Sequence, residues 1–232
     1  AVTQITGSAG QLATTYNGDG ITGLGDETIV LTDTSLAAAT LTPTVNGYST
    51  ATVNATSVTE LTGTNAEIVA AYAADTATTV NLDGDVKLTV SDNVTFTEAN
   101  TLNGHTSGVV TATISTTAID DLDNLDDTGN AYTITVETAQ VTAAALNTVK
   151  AATIIDVTAT TVTQITGSAA QLATTYNGNG ITGLGDETIV LTDTSLAAAT
   201  LTPTVNGYST TIINATSVTE LTGTNAEIVA AY

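Results

Sequence analysis

Five aspartates crowd eight positions of this chain: Asp120, Asp121, Asp123, Asp126 and Asp127. Carboxylates at that density can hold a hard divalent cation, because Ca2+ takes several oxygen ligands at once. The run lacks the alternating ligands, central glycine and terminal glutamate of an EF-hand loop. A solvated turn or helix start also accounts for it, since Asp is favoured near helix N-termini. A second stretch, GDGITGLGDE over residues 18–27, has the Gly/Asp rhythm of a calcium-binding nonapeptide repeat, without its paired glycines or register. Asp19 and Asp26 therefore join the calcium candidates, against turn chemistry as the plainer reading. Asn179 stands in the later copy at the position of Asp19, and its carbonyl oxygen can still coordinate. No other cofactor is indicated. The glycines do not form a phosphate loop, because no lysine accompanies them.

Acid–base and nucleophilic chemistry find little material. His105 is the sole histidine and lies in a polar turn. A lone, unsupported His cannot assemble a Ser–His–Asp set, and the expectation is a solvated loop residue. Cysteine is absent, so thiolate chemistry and disulfides are excluded. Lys87 and Lys150 are the only cations, too isolated for a polysaccharide-lyase site. The chain is therefore expected not to be an enzyme. Asn54, Asn93 and Asn214 head N-x-T triplets, expected as strand residues rather than glycosylation sites. Thr111/Thr113 and Thr133/Thr135 are Thr-x-Thr pairs 22 residues apart, which keeps an ice-binding face as a remote alternative.

Composition narrows the partners. The formal net charge is −21, with 23 acidic residues and no arginine. Such a chain cannot release counterions from phosphates, which excludes ordinary nucleic-acid binding. It cannot adhere to an anionic lipid surface either, and no apolar stretch is long enough to span a membrane. Yet 42% of residues are hydrophobic, so a core is affordable despite a single Phe and no Trp or Met. Threonine is about a quarter of the chain and suits half-buried strands.

The elements that must position these residues follow from a repeat. Residues 2–72 return as 162–232, differing at only five positions: Gly10/Ala170, Asp19/Asn179, Ala51/Thr211, Thr52/Ile212 and Val53/Ile213. A fixed internal period is the mark of a repeat architecture. The chain reads as one continuous array over 1–232, with 73–161 as intervening coils and the whole as a window on a longer array. Strand-like segments lie at 28–36, 52–58, 87–94, 111–119, 133–141 and 153–162. Capping boxes open helices at Ser8, Thr64, Ser168 and Thr224, and 142–152 reads as another helix. Taking Leu31, Val53, Val90, Ile114, Val136, Val157, Leu191 and Ile213 as equivalent, buried anchors gives steps mostly near 22 residues. Short strands alternating with short helices at this step imply parallel strands and crossovers. The fold expected is an α/β solenoid like a leucine-rich repeat, with an all-β solenoid or a duplicated β-sandwich as alternatives.

The stretches ITGLGDETIVLTDTSLAAATL and NATSVTELTGTNAEIVAAY resemble tandem segments of very long exported surface proteins of cyanobacteria and other aquatic bacteria. The resemblance covers most of 2–72 and its copy, and fits 73–161 less well. It implies a cell-surface or filament-forming structural role and transfers no catalytic residue. The expected function is thus an extracellular structural segment, in a stalk, fibre or surface layer. Its partners would be like repeats or identical subunits stacked end to end. The alternative is a Ca2+-dependent adhesin module.

Overall fold

Small polar residues begin the helices. In this computed structural model, which describes residues 2–18, 20–178 and 180–232, the Ser8 hydroxyl accepts from the Gln11 amide while the Gln11 side chain takes the Ser8 amide. Two of the orphan donors at the helix start are thereby satisfied. The same reciprocal box opens helices at Thr64, Thr95, Ser168 and Thr224. Thr142 caps the fifth helix through its hydroxyl alone. Four of the five boxes are those expected from the sequence; the one at Thr95 and Glu98 was not anticipated.

The result is a mixed α/β fold of parallel-strand sheets and short helices, divided into two compact units, Ala1–Thr113 and Ile114–Tyr232. In the first unit the order is β1 (Gln4–Gly7), α1 (Ala9–Asn17), β2 (Thr28–Leu31), β3 (Ser35–Ala37), β4 (Val53–Asn54), β5 (Glu60–Gly63), α2 (Asn65–Thr76), β6 (Val80–Asn81), β7 (Lys87–Val94), α3 (Phe96–Asn103) and β8 (Val110–Ile114). One sheet runs β1-β2-β4-β6 and another contains β3-β5-β7-β8. In the second unit come α4 (Ile119–Leu122), β9 (Ala131–Thr133), β10 (Gln140–Thr142), α5 (Ala143–Ala151), β11 (Val157–Thr158), β12 (Gln164–Gly167), α6 (Ala169–Asn177), β13 (Ile181–Thr182), β14 (Thr188–Leu191), β15 (Ser195–Ala197), β16 (Ile213–Asn214), β17 (Glu220–Thr222) and α7 (Asn225–Ala231). Its sheets are β10-β12-β14-β16, β11-β13 and β15-β17.

Register corrects the expected anchors. Gln4 pairs with Thr28, Gln140 with Gln164 and Gln164 with Thr188, each 24 positions on. Ser35 pairs with Glu60, 25 on, and Glu60 with Lys87, 27 on. The step therefore varies, from 23 at the Asn130–Thr153 and Thr135–Thr158 bridges to 27, rather than holding at 22. Six of the eight anchors are buried, while Val90 and Ile213 are half-buried. They are not equivalent: Leu31 lies against Gly7, Val53 against Ile29 and Val80, and Val90 against Gly63. The error has a physical cause. Each coil bends within its strand-like run, so 28–36 splits into β2 and β3, which belong to different sheets. A spacing drawn between runs then mixes two sheets.

The core is a stack of apolar rows at right angles to the strands. Leu36, Leu61 and Leu88 form one row, and Ile29, Val53 and Val80 another, all buried. Each buried side chain of this size contributes roughly 1.5–3 kcal/mol.

Candidate functional site

The aspartates expected to hold calcium lie in different local settings. Asp120 and Asp121 stand in the first turn of α4, which accounts for them as residues near a helix start. Asp123 follows α4, and its carboxylate accepts from the Asn124 side chain at 3.1 Å. Asp127 has a left-handed φ of 64° and caps the Thr128 amide at 2.7 Å, a local turn device. Asp120, Asp121, Asp126 and Asp127 are exposed and Asp123 is half-buried. Asp120 and Asp123 line a cavity of about 460 Å³ with Gln140, Thr142, Gln164 and Thr166. Among the described residues no three His, Cys, Asp or Glu groups come together in a way that could hold a metal ion. Asp26 is exposed in its loop, while Asp19 lies outside the described residues. Gly23 and Gly25 have φ of 81° and 129°, conformations that only glycine adopts without strain, so turn geometry explains the glycine spacing.

His105 is not a free loop residue. Its ring stacks on Tyr72 with centroids 4.8 Å apart and planes 6° from parallel, and it is half-buried. Asn54 and Asn214 are strand residues, as expected: they end β4 and β16, and each carboxamide oxygen accepts from the amide and hydroxyl two residues on, in an Asx turn. Thr111 and Thr113 face outward on β8 between buried Val110, Ala112 and Ile114.

Three constellations that the sequence reading did not single out are built by the fold, and each occurs more than once. The first is a buried carboxylate. Glu27 is 1% exposed and Glu187 fully buried. Tyr16 donates its hydroxyl to Glu27 Oε1, while Oε2 accepts from the Gly25 and Asp26 amides at 2.9 and 3.3 Å. Tyr176, Gly185 and Asp186 serve Glu187 in the same way. The Tyr16 ring stacks on Tyr48 at 4.8 Å, and Tyr176 on Tyr208. Burial pushes the Glu27 carboxyl up, but the bonds from Tyr16 and the backbone outweigh it and hold the group below the usual carboxylate range. Burial, with the neighbouring Glu27, pushes the Tyr16 phenol well above its ordinary value. The sign visible in the sequence is a lone glutamate between a glycine loop and an apolar strand.

The second is a hydroxyl bridge. Thr106 donates to the Val86 carbonyl at 2.6 Å and accepts from the Gly108 amide at 2.9 Å. Thr153 does the same with Tyr132 and Ile155, at 2.7 and 3.0 Å. Ser49 and Ser209 repeat it on the carbonyls of Glu27 and Glu187, at 2.7 Å each. More exposed threonines add further bonds to the neighbouring coil, including Thr59 to Thr34, Thr52 to Thr78, Thr163 to Ala139 and Thr219 to Thr194.

The third is a carboxylate on the first amide of a helix. Asp33 accepts from Ala9, Asp92 from Asn65 and Asp193 from Ala169, each at 2.8 Å. The acceptor always comes from the following coil, where the positive end of the helix favours it. Within each unit these polar groups join segments about two dozen residues apart.

Comparison with protein-family models, with curated proteins and with solved structures found no match.

Proposed function

We propose that this chain is a structural repeat segment of an extracellular surface or filament protein, with its coils stacked as one solenoid. The observation that carries the reading is the recurring link between coils: hydroxyl bridges at Ser49, Thr106, Thr153 and Ser209, and carboxylates at Asp33, Asp92 and Asp193. The polar side chains of these links are engaged in stacking rather than converging on a substrate. Near-identical copies that repeat the same capping boxes and the same Tyr–Glu pair fit a load-bearing array, in which each unit contacts only its neighbours. The high threonine content then has a physical reason, because a hydroxyl on a β-branched side chain both fits a strand and reaches the adjacent carbonyl.

Placement outside the cell rests on the acidic, cysteine-free composition and on the resemblance to exported surface proteins. No helix among the described residues is long and apolar enough to cross a membrane. Catalysis and nucleic-acid binding form no part of the proposal, given two lysines and a formal charge of −21. The aspartates are the sole support for a Ca2+-dependent adhesin, and local bonds account for Asp123 and Asp127. Labelling intact cells that make the protein with an antibody against residues 73–161 tests the placement. Surface decoration is expected; label appearing only after lysis would contradict it.

A further inference from the structure

We propose that the stacked pairs Tyr16–Tyr48 and Tyr176–Tyr208 are modification sites, at which hydrogen peroxide and a haem peroxidase join the two rings as dityrosine, a covalent staple within each unit. The inference goes beyond the structural-repeat reading and does not depend on it. It starts from where the seven tyrosines lie. Four of them form the two pairs, with ring centroids 4.8 Å apart and planes 4° and 2° from parallel. All four side chains are half-buried, so an oxidant has access to each pair. Tyr72 stacks on His105 instead, Tyr132 is fully buried and Tyr232 is 98% exposed. Cysteine is absent, so a disulfide cannot supply a covalent link.

Three segments build each pair. Tyr16 stands in the last turn of α1, and Tyr48 follows the short turn Val45–Gly47, where its amide donates to the Val45 carbonyl at 3.1 Å. Ser49 ties that turn to the Glu27 carbonyl at 2.7 Å, and the Glu27 carboxylate receives the Tyr16 hydroxyl. Asn17 donates to the Tyr48 hydroxyl oxygen at 3.4 Å, and Asn177 to that of Tyr208 at 3.0 Å. Ser209 and Glu187 complete the second site in the same way. Each ring is therefore held by its own hydrogen bond as well as by the ring beside it.

This geometry suits radical coupling. A phenol that loses an electron becomes strongly acidic and sheds its proton. The Glu27 carboxylate already accepts the Tyr16 hydroxyl, and the Gly25 and Asp26 amides help keep it ionised despite its burial, so it stands ready to take that proton. Tyr48 loses an electron to the same oxidant and its proton to water. The unpaired electron in each phenoxyl ring is shared by the oxygen and by the carbons ortho and para to it. The para carbon carries the side chain, so the rings couple through ortho carbons. Each coupled carbon then gives up its hydrogen as a proton, and both phenols are restored. In balance, two ring C–H bonds break and one C–C bond forms, while two electrons and two protons reduce hydrogen peroxide to two waters. The ring centres of a biaryl lie almost as close as those of each pair, so coupling calls for a tilt of the rings rather than travel of the backbone.

The test treats the dilute 232-residue protein with peroxidase and limiting hydrogen peroxide, digests it at aspartate and maps linked peptides by mass spectrometry. Asp26 and Asp33 lie between Tyr16 and Tyr48, and Asp186 and Asp193 between Tyr176 and Tyr208, so each staple leaves as two joined peptides. The expected products join Tyr16 to Tyr48 and Tyr176 to Tyr208, each two hydrogens lighter than its parts, in a chain that still runs as a monomer. Tyr48→Phe should abolish the first product and leave the second. In urea the links should spread over other tyrosines, because the fold no longer selects the partners. Each staple closes a loop between residues 32 positions apart, so the linked protein should unfold at a higher urea concentration than the untreated one. Stacked pairs that stay unmodified overturn the proposal, whether or not Tyr232 couples between chains. So does a pattern of links that is the same in native and urea-treated protein. An unchanged urea midpoint in the linked protein would show that the bond is no staple.

Discussion

Asp92 accepts the backbone amide of Asn65 at 2.8 Å, across 27 residues of sequence. The bond joins a loop of one coil to the first turn of the preceding helix, and Asp33 and Asp193 repeat it on Ala9 and Ala169. Asp33→Ala should destabilise the first unit by about 1 kcal/mol, as loss of a helix-terminal acceptor does. Asp33→Asn should retain most of that. Urea midpoints measure both, and an unchanged midpoint for Asp33→Ala would show that solvent serves the Ala9 amide equally well.

The hydroxyl bridges should matter more where they are buried. Thr106→Val and Thr153→Val each remove a hydroxyl that bonds a carbonyl in a buried contact and a part-buried amide, at a cost of about 1–3 kcal/mol. Thr106→Ser keeps the hydroxyl and should lose clearly less. Thr59→Val, at an exposed position, should change stability by no more than about 0.5 kcal/mol. Equal losses at Thr59 and Thr106 would mean that the hydroxyls contribute only strand propensity.

These links explain what the sequence showed and what it did not. The boxes at Ser8, Thr64, Ser168 and Thr224 were legible because a helix start depends on residues three apart. Parallel pairing and short helices followed from the alternation of strand and helix signals. Register did not, because it is set by partners 23–27 positions away and by the bend between β2 and β3. Glu27 was missed for a related reason. Its acidity suggested solvent, whereas Tyr16 and two loop amides satisfy it inside. The threonines were read as strand formers and caps; their bonds to carbonyls about 20–26 positions away were not anticipated. His105, read as a solvated loop residue, has a ring partner 33 positions earlier in Tyr72.

The Tyr16–Glu27 pair makes stability depend on pH at both ends. The Glu27 carboxyl is held below its ordinary range, so its contribution is present at neutral pH and is lost as pH falls through the folded value. The Tyr16 phenol is raised above 10.0, so its contribution is complete below that pH and is lost above it. Tyr16→Phe should cost about 1–2 kcal/mol at neutral pH. It should also flatten the alkaline fall of the urea midpoint relative to the parent. Parallel pH profiles for parent and variant would refute the assignment.

Calcium offers a separate check. With Asp120 and Asp121 in the first turn of α4, Asp123 and Asp127 in local turn bonds, and no metal-binding cluster among the described residues, millimolar Ca2+ should leave the melting temperature unchanged relative to chelator. A ligand that binds only the native state must raise it, so a clear rise would restore the adhesin reading.

The most direct measurement compares Leu61 with Leu221 by native-state amide hydrogen exchange. Both sit in the same sequence, but Leu61 is covered by β7 and Leu221 is half-buried at an open face. If neighbouring coils supply the stability of each coil, the Leu61 amide should exchange at least about 100-fold more slowly, a difference of roughly 2.7 kcal/mol. Equal protection at the two positions would show that each coil is stable by its own sequence, and would contradict a stacked structural array.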